Sequence, residues 1–148
     1  MLIRSARTGE EDRVLVMLEW LFAPPASTPV RWDPQRARRA LTAAIASDGV
    51  NVLVAEDEAG GLMGLCTAYL DLDSIRFGLR CWVEDLVVDP GQRSRGVGAQ
   101  LLAAARDWAR ERGATHLELD TAEQRLDAQR FYERERPDRR SMHYSWEL

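Results

Sequence analysis

Between an apolar run and a run with helical spacing, the chain reads VVDPGQRSRGVGAQLL at residues 87–102. Pro90-Gly91 ends the first run, and Arg93, Arg95, Gly96 and Gly98 stand at the mouth of the second. The first N–H groups of a helix have no intrahelical acceptor, and the helix dipole places partial positive charge there. A phosphate or pyrophosphate satisfies both. Glycine at 96 and 98 lets a ligand approach the backbone and permits positive φ. The two guanidinium groups can add contacts to phosphate oxygens. The chemistry on offer is the holding of an anion. A P-loop is excluded, because all 20 Lys-plus-Arg positions are arginine and that motif requires a lysine. A dinucleotide fingerprint lacks its third glycine, since Gly96-Val97-Gly98 runs on into Ala99, Gln100 and Leu101.

The other residue types that do chemistry are sparse. Cys66 and Cys81 sit in strand-like apolar runs without a CxxC pair, which reads as two inert buried thiols. His116 and His143 have no companion at ligand spacing, so no metal is expected. The 148 residues, 45% hydrophobic and 30% charged, suit a single domain spanning 1–148. A net charge of −4 does not favour nucleic acid as a partner. No apolar stretch approaches the roughly 20 residues of a membrane span, and no membrane partner is expected. The start, MLIRSARTGEEDR, has no apolar signal core, which predicts a cytoplasmic protein.

These residues need elements to position them. Leu2 to Ser5 reads as a short strand. Thr8 and Glu11 have capping-box spacing ahead of Val14, Met17, Leu18 and Leu21 at helical repeats. FAPPASTP at 22–29 breaks that helix, and Asp33-Pro34 opens a second one running to about Ser47. Strands follow at 50–57 and 62–72, joined by the turn EAGG. Residues 71–80 read as a loop and Cys81 to Val88 as a strand. A helix from about Gly98 to Gly113, a strand at 116–120 and a charged helix at 126–134 complete the body. MHYSWEL alternates Met142, Tyr144 and Trp146 on one side, as a closing strand does. The order βααβββαβαβ predicts an α/β (α+β) fold with a mixed, largely antiparallel sheet and helices on both faces.

WVEDLVVDPGQRSRGVGAQLL resembles motif A of the GNAT superfamily of N-acetyltransferases. The signature [Q/R]-x-x-G-x-[G/A] after an apolar strand reads here as Arg93-Ser94-Arg95-Gly96-Val97-Gly98. LDAQRFYER at 126–134 resembles the family's A-x-x-F-Y segment, as Ala128-Gln129-Arg130-Phe131-Tyr132. The element order fits as well, so the resemblance covers nearly the whole chain. It implies acetyl-CoA as acyl donor, with the pyrophosphate on residues 93–98. Leu86, Val87 and Val88 then offer backbone groups to the pantetheine arm, where this strand and the next splay apart. Ala99, Arg125 and Ala128 join the donor site by the same resemblance. Two departures stand out. Arg125 occupies a position where the family often has asparagine, and ERERPDRR at 133–140 replaces the frequent Gly-Phe bend.

N-acetyl transfer requires a base for the amine, a donor for the developing oxyanion and an acid for the thiolate. Strand alternation places Glu84 on a face with Trp82, Leu86 and Val88, where desolvation would raise its pKa. The VED stretch resembles family members in which this glutamate is the base. The family pattern makes Tyr132 the acid, and a phenol with a pKa near 10 suits a thiolate. Asp85 is expected on the opposite face in a structural bond, and a main-chain N–H near Val87 is the expected oxyanion donor. Trp20, Phe22, Trp32, Phe77 and Trp82 are candidates to line an acceptor cleft. With Asp71, Asp73 and Glu84 nearby, a small cationic primary amine is the expected acceptor: an amino-sugar, a polyamine or an arylalkylamine. Two alternatives stand beside this reading. One is a protein N-terminal or lysine acetyltransferase, and the other is an acyl-CoA-binding module without turnover. Members of the family are often dimers, and the alternating MHYSWEL edge would suit a homodimer.

Overall fold

A computed structural model describes all of residues 1–148. Strand β1 (Leu2–Ser5) is followed by α1 (Glu11–Phe22), α2 (Pro34–Ile45), β2 (Val50–Glu56), β3 (Leu62–Ser74) and β4 (Gly78–Val88). After a 3-10 turn at Pro90–Gln92 come α3 (Val97–Glu111), β5 (His116–Glu118) and α4 (Leu126–Arg134). The five strands form one sheet in sequence order. β1 to β4 pair antiparallel, and β5 runs parallel to β4. The predicted mixed, largely antiparallel sheet is therefore present.

Two apolar layers hold the helices on it. On one face Val14 and Met17 of α1, with Leu41 and Ala44 of α2, pack on Val52, Val54, Leu65 and Val87. On the other, Val97, Leu101, Ala105 and Ala109 of α3 pack on Leu53, Cys66, Ala68, Cys81 and Val83. The alternation along β2 and β3 dictates this division, since successive side chains leave a strand on opposite faces. α3 sits close because Gly64 has no side chain: a Cβ there would lie 2.9 Å from Leu101 Cδ1 and 3.1 Å from Val97 Cγ1. This draws the first turn of α3 onto the sheet beside the end of β4.

Local signals explain most boundaries. Asp33 caps α2, its side chain accepting from the N–H groups of Gln35 (2.9 Å) and Arg36 (3.2 Å), with Pro34 in the first turn. The capping box expected at Thr8 does not form. α1 starts at Glu11 without a side-chain cap, because Glu10 turns its carboxylate back to the Arg7 N–H (2.8 Å) and to Arg4 (2.8 Å). The expected loop at 71–80 is mostly strand. β3 and β4 extend into it and close in a tight hairpin, where the Ser74 hydroxyl accepts from the Arg76 and Phe77 N–H groups (3.3 Å each).

The closing strand also does not form. Arg136 takes a left-handed φ of 54° and Pro137 offers no N–H, so α4 ends in a turn that cannot continue the helix. Residues 141–148 make no ladder. Side chains hold the tail instead: Arg139 pairs with Glu118 (3.7 Å), His143 with Asp120 (3.4 Å), and Arg31 donates to the Leu148 carbonyl (3.1 Å). Met142, Tyr144, Trp146 and Leu148 are exposed.

Candidate active site

The glycine loop is built to leave its donors unused. Asp89 caps the 3-10 turn, accepting from the Gly91 N–H (2.8 Å). Arg93 is extended, and Ser94 and Gly96 then take left-handed φ values of 62° and 79°. No acceptor in the chain takes the backbone N–H of any residue from 93 to 99; the next donor, Gln100 N–H, bonds the Gly96 carbonyl (3.1 Å). Alternating hands of backbone make N–H groups converge into an anion-binding concavity. A Cβ on Gly96 would meet nothing closer than Gln100 Nε2 at 4.0 Å, so the concavity is open. Arg93, Ser94 and Arg95 are exposed beside it, and Val97 is buried as its anchor. Ala99 lies half-buried in the first turn of α3.

Leu86, Val87 and Val88 run into this loop along a free edge. β4 pairs with β5 only from Arg80 to Trp82, opposite His116 to Glu118. Beyond Trp82 the two strands part. α4 stands beside this gap, where the Phe131 ring abuts Gly98: a Cβ on that glycine would touch it at 3.5 Å and Val88 Cγ2 at 3.7 Å. Tyr132 follows with its ring edge-on to Phe131 (centroids 5.2 Å). Burial pushes the Tyr132 phenol up to about 12; the neighbouring Cys66 thiol raises it further, the Arg125 guanidinium works against the rise, and Asp120 adds to it. The phenol is therefore protonated throughout the neutral range. Ala128 is half-buried one turn earlier.

The carboxylates of β4 are arranged differently from the expectation. Thr67 of β3 lies opposite Asp85 and Ala68 opposite Val83, so Glu84 is an extra residue in a β-bulge. The bulge reverses the phase of the strand. Cys81 and Val83 face α3, but after the bulge Leu86 and Val88 do, and Val87 faces α1 and α2. Glu84 therefore does not share a face with Leu86 and Val88. It stays with Trp82, whose indole N–H donates to Glu84 Oε2 (2.6 Å), and it is exposed. The desolvation expected at Glu84 belongs to its neighbour. Asp85 lies on the same side of the sheet, not the opposite one, bonded to Thr67 (2.6 Å). Burial raises its pKa, the Thr67 bond lowers it and the charge of Glu84 raises it.

Arg125 does not extend toward the glycine loop. Its guanidinium crosses to the carbonyl of Leu21 in the last turn of α1 (2.6 Å), a cation at the negative end of that helix. This ties the start of α4 to the end of α1. There Phe22 and Trp32 meet edge to face (4.9 Å), while Trp20 of α1 packs half-buried against the core. Phe77 lies under Arg76 and Arg139 (4.8 Å each), outside this group. Trp82 lies under Arg80 (5.1 Å) and near His143 (6.4 Å). The expected acidic character is reduced, because Arg80 binds Asp71 through two hydrogen bonds (3.0 and 2.8 Å). Sequence reasoning missed Thr67, Asp120 and the placement of His143. A polar residue inside an apolar strand was the one available signal for Thr67.

The acetyltransferase (GNAT) family model matches residues 15–136. The uncharacterized N-acetyltransferase YhdJ of Bacillus subtilis (strain 168) is 35% identical over 116 residues, covering 77% of this chain and 80% of that protein. The aminoalkylphosphonate N-acetyltransferase of Salmonella typhimurium (strain LT2) is 49% identical over 53 residues, 36% of this chain and 34% of that protein. The solved structure of AAC(6')-Iy in complex with the bisubstrate analogue CoA-S-monomethyl-acetylneamine superposes with a TM-score of 0.79 at 20% identity, covering 99% of this chain and 98% of that one. That last likeness is one of fold. With the family model spanning most of the chain and a relative 35% identical over 77% of it, this protein belongs to the acetyltransferase (GNAT) family and is an acyltransferase enzyme.

Proposed function

We propose that this enzyme transfers an acetyl group from acetyl-CoA to a primary amine by direct attack. The observation that carries the reading is the run of unused N–H groups at residues 93–99 beside the unpaired edge of β4 and the half-buried Tyr132 phenol. The open space at Gly96 and the nearby guanidinium groups fit a pyrophosphate. Leu86 to Val88 would hold the pantetheine arm along their free edge.

Each remaining residue has one task in this reading. Glu84 takes the proton of the amine. Trp82 occupies Oε2, which leaves Oε1 to accept it. The amine lone pair bonds to the carbonyl carbon as the C–S bond breaks, and the pair from that bond leaves on sulfur. A main-chain N–H near Val87 stabilises the charge that develops on the carbonyl oxygen. Tyr132 gives its proton to the departing thiolate. An amine acceptor agrees with what the named relative and the fold neighbour act on or bind, an aminoalkylphosphonate and an acetylneamine conjugate.

The test is thiol release from acetyl-CoA with a panel of primary amines. Tyr132→Phe should lower kcat by about 10²- to 10⁴-fold, the usual contribution of a general acid, while the melting-temperature rise given by acetyl-CoA is kept. If acetyl-CoA raises the melting temperature but no amine releases thiol, the chain is a binding module and the reading fails. Loss of donor binding in Tyr132→Phe without loss of kcat would move the phenol into a binding role.

A further inference from the structure

The bulge that carries Glu84 is closed by a side chain. In a regular antiparallel pair Glu84 and Asp85 would point to opposite faces. The extra residue breaks the ladder there, and a broken ladder leaves backbone groups to be satisfied by other means. Thr67 satisfies one of them and ties down the side chain beside it. Its hydroxyl oxygen accepts from the Asp85 N–H (3.0 Å), and its own O–H donates to Asp85 Oδ2 (2.6 Å). Thr67 is 5% exposed, so water does not readily replace either bond. Tyr69 stands on the same face two residues on, its phenol raised first by burial and then by the charges of Asp85 and Glu84. The reciprocal pair therefore fastens β3 to β4 at the residue directly after Glu84.

We infer that Thr67 and Asp85 form a latch that fixes the bulge and thereby aims the Glu84 carboxylate beside Trp82, making them positioning residues for acetyl transfer. The inference rests on the reading of Glu84 as the base. The packed layers on both faces hold the register of Leu86 to Val88. Without the latch the Asp85 N–H loses its acceptor, and the bulged Glu84–Asp85 segment is the part left free to shift. Displacing a reacting group by about 1 Å can cost about 100-fold in rate.

The test is a double-mutant cycle. Thr67→Val and Thr67→Ala each remove the hydroxyl, and both are made so that either can carry the result if the other does not fold. Each should lower kcat about 10- to 100-fold while leaving the acetyl-CoA melting shift intact. Thr67→Ser, which restores the hydroxyl, should recover kcat to within about threefold of the parent. In a Glu84→Gln background the same changes should lower kcat no further, because they act through Glu84. An unchanged kcat in the Val or Ala variant overturns the latch. So does a loss that persists in full in the Glu84→Gln background. The base reading fails separately, if Glu84→Gln by itself leaves kcat unchanged.

Discussion

From Arg93 to Ala99 the chain leaves every backbone N–H without an internal acceptor, whereas from Arg125 to Leu148 it fastens itself to distant segments. The first region is local in origin. A capped 3-10 turn, two left-handed residues and a helix start, all within a few positions, shape a concavity that needs nothing from elsewhere except the seat of α3 on Gly64. The second region is assembled at long range. Arg125 reaches back to Leu21, Arg31 reaches forward to Leu148, and Glu118 and Asp120 hold Arg139 and His143. A binding surface built from backbone tolerates many side chains around it. A surface built from side-chain ties changes with each substitution. If the first region holds the donor and the second borders the acceptor, as proposed above, this difference gives a physical reason why one donor is kept while acceptors vary.

The largest effect should come from spoiling the local region. Gly96→Val places a β-branched residue at a φ of 79°, a left-handed conformation costing at least about 1–2 kcal/mol, and its side chain fills the concavity. The melting shift given by acetyl-CoA, which follows from selective binding to the native state, should disappear. Gly98→Ala is the matched control. Its new Cβ meets the Phe131 ring at 3.5 Å, an ordinary contact, and the shift should remain. Equal donor shifts in Gly96→Val and the parent would break the comparison.

A smaller and more selective effect should follow from cutting a long-range tie. Arg125→Gln removes the charged bond to the Leu21 carbonyl, worth about 1.5 kcal/mol or roughly tenfold. The acceptor KM should rise by about that factor, with the acetyl-CoA dissociation constant unchanged by isothermal titration. A weakened donor with an unchanged acceptor KM would return Arg125 to the donor side, where the resemblance to the family places it.

The mildest effect on the site should come from Glu10, which lies away from both regions. Its bond from Arg4 outweighs its burial, and the Arg7 N–H assists, so its carboxyl is held down at about 2 instead of 4.5. A lowered folded pKa stabilises above the ordinary value, and that stability is lost as pH falls from 4.5 toward 2. Glu10→Gln should therefore lower neutral-pH stability by about 2 kcal/mol, with the gap to the parent closing across that window. Donor and acceptor constants at pH 7 should not move. A loss that is independent of pH would show that the network acts through packing and not through charge.

Much of the fold was legible in the chain, for reasons that differ element by element. Asp33-Pro34 names the start of α2 because a cap and a proline act on their own neighbours. The apolar repeats of α1 and α3 name their buried faces for the same reason. Residues 71–80 were misread because their charges suggested a loop, while pairing of Leu72, Asp73 and Ser74 across to β4 decided for strand. MHYSWEL has the alternation of a strand, but the tail meets the end of the sheet through side-chain pairs at Glu118 and Asp120 and not through a backbone ladder.

The sequence by itself determined that a glycine-rich turn opens a helix at residues 93–98 and that Phe131-Tyr132 follows it at family spacing, because both depend on backbone freedom and short-range order. Only the tertiary structure decided which way the carboxylates of β4 point. One extra residue beside Asp85, the partner of Thr67, reversed the alternation, exposing Glu84 and half-burying Asp85 on the same side. A bulge is a property of two strands in register, and register is set by the partner strand and the packed layers above and below it, none of which is written in VED alone.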